Sequence, residues 1–336
     1  MTSASGASLR LLLSNQAATQ LGPRIAAVLA ARPHQLLRAE AVEPGADFDL
    51  ALMTRDVTGG STKHEVLAPT RHFHDLLRQA RSLRWAHTHS AGADRPVFVE
   101  LLRRGVTVTT SSGANAAVVA QTAVAGLLAL ARRFPQLMAA QRERRWAPLL
   151  GASQPRDLGG QTALIVGWGP VGRQVGAMLA AAGLRCIAVR RQADPAATGP
   201  ETVSYDDLAS VLPRTDWLVL ACPLTERTRG LVDAAALARL PPGAHLVNVA
   251  RGEVVVQDDL IAALRNGVLA GAYLDVFEHE PLDRESPLWS LDNVLVTPHS
   301  AGHSDGNEER VAALFLDNLA RWCRGARLVN RVDGPG

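Results

Sequence analysis

The chain has 336 residues, 47% of them hydrophobic and 20% charged, and a net charge of +3 at neutral pH. That is an ordinary globular balance, with core enough for about two domains of roughly 100–200 residues each, and it excludes disordered or fibrous chains. The basic residues are dispersed arginines (Lys63 is the only lysine) with no nucleic-acid-binding motif beside them, so nucleic acid is not an expected partner.

In chain order, short apolar runs at Leu9–Leu13, Leu36–Val42, Leu50–Met53, Leu83–Ala86 and Val106–Thr109 predict strands. Helical patterns at Gln16–Ala31 and His72–Arg81 alternate with them, which reads as an α/β unit with a mostly parallel sheet. A long apolar helix is predicted over Asn115–Arg133. A second alternation follows: strand Ala163–Val166, helix Val171–Ala182, strands Cys186–Val189 and Leu218–Ala221, helix Ala234–Leu240, strand His245–Val249, helix Asp258–Arg265, and strands Gly271–Asp275 and Val294–Thr297. A final helix, Glu308–Arg324, carries Val311, Leu314, Phe315, Leu319 and Trp322 on one stripe, with Asp305 and Glu308 spaced as a capping box and Gly325 placed to end it. The fold class expected is two parallel-sheet α/β domains, Rossmann-like and flavodoxin-like, the larger one binding a dinucleotide. The division expected is one domain of residues 1–112, completed by 303–336, and a second of residues 113–302.

Cys186, Cys222 and Cys323 are odd in number and widely spaced, which fits a reducing compartment better than a disulfide framework or a zinc site. No signal peptide is apparent, and the longest apolar run, Ala116–Ala131, is short of the roughly 20 residues that cross a bilayer. A cytoplasmic protein without a membrane partner or a metal is the expectation.

Gly167-Trp168-Gly169-Pro170-Val171-Gly172 follows an apolar strand and opens a helix, the context that gives this fingerprint its meaning. Gly167 permits the tight turn, Gly169 lets backbone approach a pyrophosphate, and Gly172 lets helix and strand pack closely. Pro170 suits the first helical turn and leaves the Val171 and Gly172 amides for the anion. Where NAD-binding folds carry an acid for the ribose 2′-hydroxyl, this chain reads Arg190-Arg191-Gln192, with no acid until Asp194. Two guanidinium groups there suit a 2′-phosphate, so NADP(H) is expected over NAD(H), with NAD(H) use retained; the alternative is a solvated surface pair.

Three further residues follow in order: Arg251 in Asn248-Val249-Ala250-Arg251-Gly252, Glu280 before Pro281, and His299 in Thr297-Pro298-His299-Ser300-Ala301-Gly302. A cation for a carboxylate, an imidazole for a proton and an acid to tune it are what redox chemistry between a 2-ketoacid and a 2-hydroxyacid requires.

With those segments the chain resembles the D-isomer-specific 2-hydroxyacid dehydrogenases, the family of glyoxylate/hydroxypyruvate reductases, D-lactate dehydrogenases and phosphoglycerate dehydrogenases. The resemblance runs from about Leu83 to Gly302. Ser90-Ala91-Gly92-Ala93-Asp94 is similar to the family's substrate loop, Ser112-Gly113-Ala114-Asn115 to its entry into the inter-domain helix, and Pro223-Leu224-Thr225-Glu226-Arg227-Thr228 to its cofactor-side loop. The resemblance implies that His299 donates the proton, Glu280 holds its other nitrogen, Arg251 grips the substrate carboxylate, and the Ala91 and Gly92 amides complete that grip. It also implies cofactor contacts from Cys222, Pro223, Thr228, Val249, Ala250, Arg251, His299 and Gly302, and from Asp275 to the nicotinamide carboxamide. Hinge closure is expected at about residues 112–115 and 300–304. His279 and His303 read as flanking residues, while His87 and His89 either face the pocket or serve the core.

This chain departs from many relatives in reading Gln121-Thr122 where they have Glu-His. It has Glu280 where formate dehydrogenases of the family carry glutamine, so formate oxidation is not expected, and neither is the regulatory domain of the long phosphoglycerate dehydrogenases. The reading is a reductase of small 2-ketoacids, with glyoxylate or hydroxypyruvate as substrate and a homodimer as the assembly. A dehydrogenase of another acid, D-lactate-like or phosphorylated, and a cofactor-sensing regulator are the alternatives.

Overall fold

The computed structural model describes residues 8–30, 32–193 and 199–332. The chain divides into two compact units, Met1–Asn115 with Ser304–Gly336, and Ala116–His303.

The first unit is built on five parallel strands: β1 (Leu9–Leu13), β2 (His34–Arg38), β3 (Leu50–Met53), β4 (Trp85–Thr88) and β5 (Thr107–Thr110), in the spatial order β2-β1-β3-β4-β5. This is the flavodoxin-like order. Side chains alternate across the sheet, so Leu9, Leu11, Leu13 and Trp85 enter one core while Leu12 and Ala86 enter the other. The first core is covered by helix Asn15–Leu29, whose N-terminus is capped by Ser14 Oγ accepting from the Ala17 amide at 3.0 Å. The last helix, Asn307–Cys323, shares that core through Ala312, Phe315, Leu316 and Leu319. Trp85 stacks on Phe315 at 5.5 Å and on Trp322 at 5.6 Å. Helices Ala68–Gln79 and Pro96–Arg103 cover the opposite face.

The second unit has seven parallel strands: β6 (Thr162–Val166), β7 (Arg185–Arg190), β8 (Glu201–Ser204), β9 (Trp217–Leu220), β10 (His245–Asn248), β11 (Gly271–Leu274) and β12 (Val294–Val296), ordered β12-β11-β10-β9-β6-β7-β8. The order reverses between β6 and β9, and in doubly wound folds ligands bind beyond the carboxyl ends of the strands at such a reversal. Helices Ala116–Ala131 and Pro170–Ala181 close one face over Ala163, Ile165 and Val219. Both sheets are wholly parallel and helix-covered, which is the expected fold class.

Some local expectations need correction. The strand expected at Leu36–Val42 lies at His34–Arg38 and gives way to a single 3-10 turn, Ala39–Ala41. The capping box is not formed: the last helix starts at Asn307 behind Gly306, and Asp305 Oδ1 accepts from the Gly306 amide at 2.8 Å instead. Gly325, at φ +66°, does end that helix; its amide bonds the Trp322 carbonyl and that of Ala326 reaches Arg321. The long apolar helix stops at Ala131. Arg133 then takes a left-handed conformation, and a second helix, Phe134–Arg142, leaves at a bend of 69°. No single helix among the described residues is long and apolar enough to cross a membrane.

Candidate active site

The fingerprint turn runs from the end of β6 into helix Pro170–Ala181, with Gly169 as its N-cap and Pro170 at its first position. Gly167 sits at φ +102°, and a Cβ there would lie 2.6 Å from Cys222 Cα, because the turn crosses the backbone that follows β9. A Cβ on Gly172 would overlap the Gly167 carbonyl. Gly169 differs, since no protein atom lies within 4 Å of where its Cβ would stand. Two glycines are therefore filled by the chain's own backbone. The third faces open space at a helix N-terminus, whose first amides have no carbonyl within the helix. These residues fit a pyrophosphate.

Arg190 closes β7 and Arg191 lies exposed beyond it. Arg191 and Arg227 both act on the Tyr205 phenol, which burial nonetheless pushes up to about 12. The Arg227 guanidinium stands 5.6 Å over the Tyr205 ring and pairs with Asp206. Arg227 is a third cation near the end of β7 that the sequence did not single out. Asp194 lies outside the described residues. In the neighbouring loop Thr228 Oγ1 donates to the Pro223 carbonyl at 2.7 Å and accepts from the Thr225 amide at 2.8 Å, so its hydroxyl shapes the loop. Cys222 is buried, and burial pushes its thiol up to about 11, against the hydrogen bond it makes with Tyr205.

Arg251, Glu280 and His299 all belong to the second unit. The Asn248 side chain builds the turn that presents the arginine: its Oδ1 accepts from the Ala250 amide at 3.0 Å and its Nδ2 donates to the Arg251 carbonyl at 3.1 Å. A Cβ on Gly252 would overlap the Phe277 carbonyl, so only glycine lets the Arg251 strand end meet the segment carrying Glu280. Glu280 Oε1 accepts from the Phe277 amide at 3.1 Å, and its Oε2 lies 2.8 Å from His299 Nδ1. Burial alone would raise the Glu280 pKa. The hydrogen bond and charge of His299, the Phe277 amide and the Arg251 charge outweigh it and hold the carboxyl below its ordinary value. An ionised carboxylate only accepts, so Nδ1 carries the hydrogen shared with Glu280.

His299 itself has φ +50°, a conformation uncommon for a residue with a side chain. Asp275 holds it there. The His299 amide donates to the Asp275 carbonyl at 2.8 Å, and Asp275 Oδ1 accepts from Thr297 Oγ1 at 2.6 Å, from the Ser300 amide at 2.8 Å and from the Ala301 amide at 3.0 Å. Burial raises the Asp275 pKa against these bonds. Thr297 also meets the Tyr273 hydroxyl at 2.7 Å, and Thr122 donates to the Ala301 carbonyl at 3.1 Å. Sequence reasoning missed this brace of Asp275, Thr297 and Tyr273. The readable signal was a polar residue at each of two adjacent strand ends.

In the first unit, Ala91 and Gly92 lie in the loop after β4, where Ser90 Oγ donates to the Gly92 carbonyl at 2.6 Å and Lys63 pairs with Asp94 at 2.7 Å. His87 is a core residue: it is fully buried between Thr109 Oγ1 at 2.7 Å and Ser111 Oγ at 3.0 Å, and burial, helped by His89, lowers its pKa to about 3. His89 is partly exposed, with Nε2 3.0 Å from Thr58 Oγ1.

The fold and this site define a dinucleotide-dependent oxidoreductase of the CH–OH class. The profile of the D-isomer specific 2-hydroxyacid dehydrogenase, NAD binding domain, matches residues 124–301, and the chain belongs to that family. A glyoxylate reductase of Korarchaeum cryptofilum is 34% identical over 266 residues, 77% of this chain and 79% of that protein. A D-isomer specific 2-hydroxyacid dehydrogenase of Xanthobacter autotrophicus Py2, solved with NADPH and MES, is 30% identical with a TM-score of 0.76 over 98% of both chains. The NADPH-dependent glyoxylate/hydroxypyruvate reductase of Sinorhizobium meliloti, solved with NADP and sulfate, is 26% identical, with a TM-score of 0.76 over 97% of this chain and 98% of that one.

Proposed function

We propose that the chain is an NADPH-preferring reductase of small 2-ketoacids, with glyoxylate and hydroxypyruvate as its best substrates, acting as a cytoplasmic homodimer. The observation that carries the chemistry is the 2.8 Å pair of His299 Nδ1 and Glu280 Oε2 with the Arg251 charge acting on the same carboxylate. Bound NADPH supplies the hydride that reduces the carbonyl carbon. His299 delivers a proton from Nε2 to the carbonyl oxygen, and Glu280 fixes the ring and stabilises its charged form. Arg251 holds the substrate carboxylate and polarises the carbonyl. Asp275 positions the His299 segment and meets the nicotinamide carboxamide. The curated glyoxylate reductases and the NADPH-bound neighbour support this substrate and cofactor.

The preference for NADPH rests on Arg190 and Arg191, joined by Arg227, as partners of the 2′-phosphate. Changing Arg190 and Arg191 to Ala is expected to raise the KM for NADPH far more than that for NADH; equal changes would remove the assignment. The substrate reading is tested by following reduced-nicotinamide absorbance with both cofactors against glyoxylate, hydroxypyruvate, pyruvate and a phosphorylated ketoacid. Turnover confined to pyruvate or the phosphorylated acid would overturn it.

The homodimer is supported by apolar side chains crowded into one stretch of the second unit: Phe134 is 48% exposed, Met138 41%, Trp146 94% and Leu150 67%. Apolar exposure of that kind on a single segment marks a surface that is covered in use.

A further inference from the structure

The second unit holds a cavity of about 160 Å³ whose lining residues include Arg133, Arg156, Gln154, Trp217 and His245. It lies where the strands begin: Trp217 opens β9, His245 opens β10, and Gln161, Ala270 and Asn293 immediately precede β6, β11 and β12. The fingerprint turn, the Cys222–Thr228 loop and Arg251 all follow the other ends of these strands. The cavity therefore has no part in the site already described.

Its charge is one-sided. Two arginines line it and no acidic side chain does. Arg156 pairs with Asp216 at 2.9 Å, while no ion pair forms to Arg133 among the described residues. Arg133 is also held at φ 55°, ψ 35°, a left-handed conformation in which glycine is at home and a Cβ is unfavourable. The chain keeps a long cation at a position where its backbone favours none. Burial pushes the His245 imidazole down to about 4, so this ring is neutral and adds a flat wall without charge. That wall is rigid: His245 stacks on Trp217 with centroids 4.3 Å apart, and Trp217 Nε1 donates to Gln161 Oε1 at 2.7 Å. Leu130, Ala131 and Pro155 supply apolar surface beside the arginines.

We propose that this cavity binds a small organic carboxylate, its anionic end on Arg133 and Arg156 and its apolar body against Leu130, Ala131 and Pro155. The Arg133 guanidinium, with no acid paired to it among the described residues, selects an oxyanion, and the apolar wall selects an acid with a carbon body over an inorganic ion. Lying at the opposite edge of the sheet, the site takes its ligand together with the dinucleotide. The strands that begin at its two stacked rings, β9 and β10, end at Leu220 and Asn248, so the cavity and Arg251 lie beyond opposite ends of the same sheet.

The test is calorimetric titration of the full NADPH-saturated chain with succinate, benzoate and inorganic phosphate, in the native protein and in R133G, R156Q and R251A. Glycine suits φ 55°, so R133G is expected to fold and to keep its turnover. One saturable event per chain with succinate or benzoate is expected, unchanged in R251A and weakened at least tenfold in R133G and R156Q. No saturable binding overturns the proposal, as does binding lost in R251A and kept in R133G. Phosphate binding as tightly as both acids overturns the organic class. If R133G splits the oligomer in sedimentation and no acid binds the native chain, the cavity is an interface contact and the proposal fails.

Discussion

His299 stands at φ +50°, pinned by its own amide on the Asp275 carbonyl and by its ring on Glu280. Strain of this kind persists only where the surroundings over-determine it, and here it aims an imidazole. Replacing His299 with Gln is expected to lower kcat by roughly a hundredfold to ten-thousandfold, the scale of a lost general acid, while NADPH binding by fluorescence titration stays native. A variant with near-native kcat would take the histidine out of the reaction. Glu280 gives a prediction in pH. Its folded pKa lies below the ordinary carboxylate value, so its contribution to stability is present at neutral pH and is lost as pH falls through the folded value. Melting temperature followed downward through the carboxylate range is therefore expected to fall less steeply in Glu280→Gln than in the native chain. Parallel acid limbs would refute the coupling.

At the scale of elements, a line of contacts runs from helix Ala116–Ala131 to the histidine. A Cβ on Gly126 would overlap the ring of Tyr273, whose hydroxyl meets Thr297, which donates to Asp275. Gly126→Ala sets two effects against each other. Helix propensity gains about 1 kcal/mol, and overpacking loses about 1–3 kcal/mol. Tyr273 is 3% exposed and tethered at its hydroxyl, so the ring has nowhere to go and overpacking wins. The melting temperature is expected to drop by a few degrees, at roughly 2–4 °C per kcal/mol for a unit of this size, with kcat falling alongside it. A rise in melting temperature would show that the helix moves aside.

The same elements show what a sequence can say. Strands Leu9–Leu13 and Leu50–Met53 fall where their apolar runs predict, because a parallel strand buried on both faces leaves an uninterrupted apolar run. Strand Glu201–Ser204 left no such run: it lies at the sheet edge and is partly exposed along its length. Helices Pro96–Arg103 and Phe134–Arg142 escaped notice because each begins at a proline boundary beside a stronger pattern. The His299–Glu280 pair and the Arg251 beside it were legible because the proposed chemistry needs particular side chains in particular local segments. Thr297, Tyr273 and Arg227 were not, since their significance lies in pairings across strands that the order of residues does not display.

At the scale of the whole molecule, the exposed apolar stretch from Phe134 to Leu150 predicts assembly. Sedimentation is expected to find a dimer of the native chain and a shift toward monomer when Trp146 and Leu150 are both changed to Ser. A native monomer at micromolar concentration would reject the dimer. The comparison also separates the apolar surface from the arginine cavity, which R133G alters without touching Trp146.

The first unit is assembled from two distant stretches of chain: Leu9, Leu11 and Trp85 are covered by Phe315 and Leu319, while the Val332 amide bonds the Val108 carbonyl of β5. On the ribosome, therefore, everything needed for the second unit has emerged while the earlier-made sheet still lacks its lid. That sheet must wait, its apolar face wet or shielded by a chaperone, until the final helix is released, and nascent chains halted before Asn307 should be the ones that proteases cut and holdases retain.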